Sequence, residues 1–155
     1  MGGKEISLLS HKEKNLLTSI KTMTNNSQRF MMIQKYLKEI KNGDTRILMT
    51  NGIVHENVLV RYPPKNDFRA NLSYGGKFKV QKINHKHLSH LKDIAIYLKN
   101  NRIYFAGVDM IGNYITEINI TSPTGIQQIE SKDKNLSSSI ANQFIKIVEQ
   151  YYDDK

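Results

Sequence analysis

The residues with the clearest chemical potential lie in "GVDMIGNYITEINITSPTG", Gly107 to Gly125. Two carboxylates and an amide, Asp109, Glu117 and Asn119, sit there in or beside two apolar runs. Burying a carboxylate unpaired is costly, so each acid needs a partner. In a strand, side chains alternate faces, so Glu117 and Asn119 point one way while Ile118 and Ile120 point the other. "DMI" and "YITE" read as neighbouring strands joined through Gly112-Asn113. A strict two-residue loop sets Asp109 opposite Thr116, whereas a longer loop or a bulge sets it opposite Glu117. Only the second arrangement makes a three-oxygen cluster, and that is the expectation here. Such a cluster suits a hard cation, Mg2+ before calcium or zinc. The competing reading is that Asp109 and Glu117 pair with basic residues across the sheet, and spacing alone leaves both open.

Basic partners are plentiful. The 155-residue chain has 23 Lys and Arg against 14 Asp and Glu, a formal net charge of +9. The lysines are scattered among acids and amides, as in "QKYLKEIKN", and read as a solvated surface. Arginine is scarcer and better placed. Arg46 lies in "GDTRILM", Arg61 ends an apolar run, and Arg69 sits in the loop that follows. Guanidinium forks grip carboxylates and phosphates. "TSPTG", Thr121 to Gly125, offers hydroxyls and backbone N–H groups for an anionic substrate end. His85, His87 and His90 read as a solvated helix start, since only two of them share a helical face and no carboxylate joins them. His11 and His55 are isolated.

The elements that must position these groups follow from periodicity. Helices are expected over 11–23, 85–100 and 137–152, each with an apolar stripe at helical spacing. Strands are expected over Arg29 to Gln34, Asp44 to Thr50, Ile53 to Tyr62, Tyr104 to Ile111 and Tyr114 to Ile120. Asn51-Gly52 is a strong hairpin signal between the second and third of these. "YPPKNDFRANLSYGGK", residues 62–77, fits neither period and is expected to be a mobile functional loop. The fold class is therefore α+β, a mostly antiparallel sheet with helices packed on it, in one domain. Hydrophobic content of 39% supports a single core. No run reaches the roughly 18 apolar residues of a membrane span. The absence of cysteine excludes disulfides and thiol catalysis, and a cytoplasmic location without membrane association is expected.

"GVDMIGNYITEINITSPTG", with "YLKEIKNGDTRIL" and "RANLSYGGK", resembles the C-terminal part of prokaryotic glutathione synthetases, members of the ATP-grasp superfamily. The resemblance runs from the first residue to the last helix. It implies ATP-dependent joining of gamma-glutamylcysteine to glycine through an acyl phosphate. It implies Mg2+ as cofactor, with Mn2+ as a substitute, held by Asp109, Glu117 and Asn119. It implies that Gln34, Lys35, Tyr36 and Leu37 form a hinge strand on the adenine, with Asp44 on the ribose side. Arg46, Arg61, Ser122 and Thr124 would grip substrate carboxylate and phosphate. Arg69, Asn71, Gly75 and Gly76 would belong to a loop closing over the site, with Arg46, Arg69 and Asn71 in the catalytic set. Lys77 departs from the arginine expected there.

Gly2 and Gly3 resemble the tail of a phosphate-covering loop. By the same resemblance an N-terminal substrate domain and two ATP-contacting lysines precede this point in relatives. A chain starting here is expected to be inactive alone, with a separately encoded N-terminal fragment as a candidate partner, and the intact enzyme to be a homo-oligomer. Rival readings are another ATP-grasp peptide ligase and a basic nucleic-acid-binding module. The latter has the net charge in its favour but no recognisable motif.

Overall fold

The computed structural model describes residues 6–70, 72 and 75–153. It divides into two compact units, Met1–Lys38 and Glu39–Lys155. The first contains one short helix, α1 (Leu16–Met23). The expected strand over Arg29 to Gln34 is absent there: beyond α1 the described backbone runs through turns to an irregular stretch. Three consecutive residues with positive φ, Asn25, Asn26 and Ser27, break the chain after the helix. Phe30, Met32 and Ile33, which gave the stretch its strand-like look, are exposed. A strand exists by ladder pairing and a half-buried face, and residue type alone supplies neither.

A 3-10 turn (Lys38–Asn42) spans the boundary between the units, and the second unit continues as β1 (Asp44–Thr50), β2 (Ile53–Val54), β3 (Asn57–Tyr62), β4 (Lys77–Lys82), α2 (His85–Asn100), β5 (Phe105–Ile111), β6 (Tyr114–Asn119), α3 (Ile126–Glu130) and α4 (Leu136–Asp153). The strands form one sheet in the order β4-β3-β1-β5-β6, with β2 also on β1. Every described pairing is antiparallel. This is the expected α+β architecture. Asn51 and Gly52 both take positive φ, +50° and +82°, as a tight primed turn requires. The single strand expected after that turn is two, because the register on β1 slips between Met49↔Val54 and Arg46↔Leu59, with His55 and Glu56 absorbing the difference.

β1 is central and almost wholly buried, so its residues pack on both faces. Ile47 and Met49 face one way, with Val58, Val60, Ala106 and Val108, and meet Leu91, Ala95 and Leu98 of α2. Leu48 faces the other way with Leu59, and meets Ile129 of α3 and Leu136 and Ile140 of α4. Phe105 stacks edge-on against Phe144, centroids 6.4 Å apart. α3 and α4 thus cover only part of their face; the remainder carries the charged residues described below. β4 was not among the expected strands. Its "KFKVQK" is an edge strand defended by lysines, whose charge masks the alternation.

Beside the hairpin, His55 is buried with Nε2 3.1 Å from Thr50 Oγ1. Burial lowers its pKa from the usual 6.5, partly offset by the charge of Asp133. A depressed folded-state pKa means stability that is complete above about pH 6.5 and is lost as pH falls through the lower value. Wild type is therefore expected to lose stability below pH 6.5, and His55→Gln to lose less. Thermal midpoints across pH 5–8 check this.

Candidate functional site

One row of side chains crosses the sheet on the face shared with α3 and α4. Arg46 of β1 lies opposite Asp109 of β5, and Asp109 lies opposite Glu117 of β6. The next row begins with Asp44 opposite Arg61 of β3. The turn after β5 is the two-residue Gly112-Asn113, yet Asp109 still meets Glu117, because a bulge at Thr116 shifts the register between Asp109 and Met110. Thr116 Oγ1 donates to the Asp109 carbonyl at 3.3 Å. Bulges re-aim side chains, and this one turns Glu117 onto the same face as Asp109.

Arg46 and Asp109 are each only 4% exposed. They form a fork: Arg46 Nε donates to Asp109 Oδ1 at 2.5 Å and Nη2 to Oδ2 at 2.7 Å. Arg61 Nη2 lies 2.5 Å from Asp44 Oδ2 and 2.9 Å from Asp109 Oδ2. The partner that Asp109 required is thus a pair of arginines. Arg46 also reaches the turn after β6, its Nη1 donating to the Thr124 carbonyl at 3.2 Å. For Arg46, burial works against the charged form, but the hydrogen bond and charge of Asp109, with the charges of Glu117 and Asp44, outweigh it and raise its pKa. For Asp44, burial lifts the pKa to about 6; the adjacent Arg61 pulls it back and the Asp109 charge adds to the rise. Two buried atoms in the cluster, Asp44 Oδ1 and Arg61 Nε, make no hydrogen bond.

Glu117 is exposed at the end of the row, on an edge strand. Asn119 shares its face, and its Oδ1 accepts from Thr121 N, Thr121 Oγ1 and Ser122 N at 3.1–3.2 Å. Its amide therefore builds the "TSPTG" turn, an Asx-turn that Asn before Thr-Ser could have signalled. Among the described residues no three His, Asp or Glu side chains gather as a metal cluster. A cation here would rest on two facing carboxylates plus the amide oxygen. The fit is chemical: all donors are hard oxygens, Glu117 is open to solvent, and two arginines against Asp44, Asp109 and Glu117 leave one negative charge unbalanced.

The remaining expected residues are more dispersed. Ser122 and Thr124 are exposed on the turn above the row. Asp44, expected near the ribose, has its carboxylate turned inward to Arg61. In the loop, Arg69 is oriented by Asp67, with Nε and Nη2 donating to its carboxylate at 2.7–3.1 Å. These bonds hold the Asp67 pKa at about 2. Gly75 takes φ +78° with open space where a side chain would stand, and Gly76 follows it. Lys77 begins β4 opposite Tyr62, exposed. Gln34, Lys35, Tyr36 and Leu37 fall in the first unit's irregular stretch and form no strand. Gly2, Gly3 and Asn71 lie outside the described residues.

Gly107 was not anticipated. A Cβ there would lie 3.0 Å from Arg46 Cδ, 3.2 Å from Arg46 Nη1 and 3.2 Å from Pro123 Cβ. The bare backbone leaves room for the Arg46 side chain and for Pro123 of the turn. Its signal was the "GVD" spacing, which puts Gly107 and Asp109 on one face.

Comparison with known proteins fixes the family. Residues 1–134 match the prokaryotic glutathione synthetase ATP-grasp domain. The chain belongs to that family. It is 41% identical over 140 residues to the glutathione synthetase of Wigglesworthia glossinidia brevipalpis, covering 90% of this chain and 44% of that protein. It is 36% identical over 152 residues to that of Coxiella burnetii, covering 98% and 46%. For Buchnera aphidicola subsp. Schizaphis graminum the figures are 42% over 137 residues, 88% and 42%. The chain thus spans less than half the length of these ATP-grasp relatives. No helix among its described residues is long and apolar enough to cross a membrane.

Three outcomes follow from the cluster. Arg46→Met strips Asp109 of its fork and is expected to cost about 3 kcal/mol or more in denaturant unfolding. Gly107→Ala is expected to destabilise wild type by about 1–2 kcal/mol through overpacking, and by less in the Arg46→Met background, because the arginine it crowds is gone. For Asp44, a raised folded-state pKa means stability present below about pH 4 and lost as pH rises through about 6. Asp44→Asn should therefore gain relative to wild type between pH 4 and pH 7, read from the two unfolding curves.

Proposed function

We propose that this chain provides the metal- and substrate-gripping part of a glutathione synthetase. The reaction transfers the terminal phosphoryl group of ATP to the terminal carboxylate of gamma-glutamylcysteine, releasing ADP and forming an acyl phosphate. The glycine amine then forms a bond to the acyl carbon of that phosphate, and inorganic phosphate leaves with the second product, the tripeptide. The observation that carries the reading is the buried Arg46–Asp109–Arg61–Asp44 cluster, with Glu117 at its solvent end, in a chain of this family.

The residues divide the work by chemistry. Arg46 and Arg61 supply fixed positive charge where carboxylate and phosphoryl oxygens carry negative charge, and electrostatic preorganisation of this kind dominates phosphoryl transfer. Ser122 and Thr124 offer donors on the turn that Arg46 and Asn119 hold in place. Arg69, carried on the 62–77 loop with Asn71, Gly75 and Gly76, would bring a further guanidinium to the anion and exclude water from the acyl phosphate. Asp109, Glu117 and Asn119 would hold Mg2+, or Mn2+ in its place, which neutralises phosphate charge. Gln34 to Leu37 would meet the adenine through backbone groups.

Calorimetric titration of ATP in the presence and absence of Mg2+ tests the assignment. Glu117→Ala and Asp109→Ala are expected to abolish the Mg2+-dependent part of ATP binding. Unchanged Mg2+-dependent binding in both variants would remove the metal assignment. Turnover is measured as ADP release with dipeptide and glycine, for the chain alone and with the amino-terminal half of a full-length relative added in trans. Release that depends on a different acyl donor would reassign the protein to another peptide ligase.

A further inference from the structure

The guanidinium of Arg61 stands between two carboxylates. Its Nη2 touches both, Asp44 Oδ2 at 2.5 Å and Asp109 Oδ2 at 2.9 Å. An arginine facing a carboxylate ordinarily makes two parallel bonds. Arg61 and Asp44 make one. The two atoms that would complete the fork, Arg61 Nε and Asp44 Oδ1, are both buried and both without a hydrogen bond. A spare donor and a spare acceptor in the same ion pair, on directly opposite residues of neighbouring strands, are an unfinished contact. Leaving such atoms unmet in the interior is unfavourable. Asp109 shares the same Nη2 although Arg46 already gives it two bonds.

We propose that Asp44 is a positioning residue for Arg61: when Asp109 is engaged by a divalent cation, Arg61 lets go of Asp109 and closes on Asp44 as a two-bond fork. The inference rests on the cation assignment made above for Asp109 and Glu117. It gives Asp44 a role toward Arg61 that neither spacing nor family resemblance supplied. The physical gain is that a cation entering the cluster does not strand a buried guanidinium, which would be strongly destabilising. Arg61 stays charged and fixed beside the metal, oriented toward an anionic substrate group. Among the described residues Arg46 bonds a single carboxylate, Asp109, and otherwise the Thr124 carbonyl. The exchange is therefore specific to Arg61.

The test follows the Arg61 Nε–Hε signal by NMR, assigned by its loss in Arg61→Lys. In the metal-free wild type this proton lacks an acceptor. Saturating Mg2+ is expected to move it downfield and slow its hydrogen exchange about tenfold, the factor conferred by one net hydrogen bond. Asp109→Asn, which weakens the competing acceptor, is expected to do the same without metal. Adding Asp44→Asn should cancel the slowing in both cases. The proposal is overturned if Asp109→Asn leaves the exchange rate unchanged, or if slowing persists with Asp44→Asn. Should Asp109→Asn not fold, wild type against Asp44→Asn, both in Mg2+, decides by the same criterion. The backbone amides of Glu117 and Asn119 report the cation separately. If they ignore Mg2+, the cation assignment fails, while the comparison of Asp109→Asn with its Asp44→Asn double variant still decides the role of Asp44.

Discussion

The fork between Arg46 and Asp109 is the constraint on which the second unit is organised. Two charges this deeply buried are tolerated only as a well-made pair, so β1 and β5 must keep the register that brings them face to face. That register fixes the rest. It places Leu48 opposite Gly107, one step along the same face, where the α3 and α4 core begins. It leaves Gly107 against both the Arg46 side chain and Pro123. Through the Thr124 carbonyl it ties the loop after β6 to the centre of the sheet. Half of this face is thus ordinary core and half is a charged row, while the opposite face is apolar and belongs to α2.

The charged row is self-neutralised to within one charge. Arg46 and Arg61 occupy Asp109, and Arg61 also occupies Asp44. Such an arrangement can accept a cation on the acids and an anion on the arginines together at lower cost than either alone, because each ligand replaces the counter-charge the other displaces. The function proposed above would use that combination: Asp109, Glu117 and Asn119 would hold a divalent ion that offsets phosphate charge, and Arg46 and Arg61 would meet a carboxylate. The resting ion pairs and the proposed metal site are then two states of the same side chains. The two readings of the acids left open by spacing are not exclusive.

Much of this was legible in the residues. The alternation in "ITEIN" put Glu117 and Asn119 on one face, and the need for a shared cluster anticipated the bulge that sets Asp109 opposite Glu117. Asn51-Gly52 marked its hairpin, and α2 runs over the residues its stripe indicated. Other features lay outside what local pattern encodes. "RFMMIQ" has strand-forming residues but no ladder in the first unit, and β4 has a ladder but lysines where alternation should show. α3 is too short to have a period. Asp44 carried no signal for its inward turn, because its partner Arg61 is distant in sequence and meets it only through sheet pairing. Asn119 was legible as an oxygen donor, and its bonds to Thr121 and Ser122 form an Asx-turn that the Asn ahead of Thr-Ser could also have signalled.

The central claim is that cation and anion meet on this row of the sheet. Crystals grown with Mn2+ and a non-hydrolysable ATP analogue, with data collected at the manganese absorption edge, address it most directly. The account predicts an anomalous peak within coordination distance of Asp109 and Glu117, with Arg61 closed on Asp44. A peak at the His87 and His90 turn of α2, or none near β5 and β6 while nucleotide is bound, would contradict it.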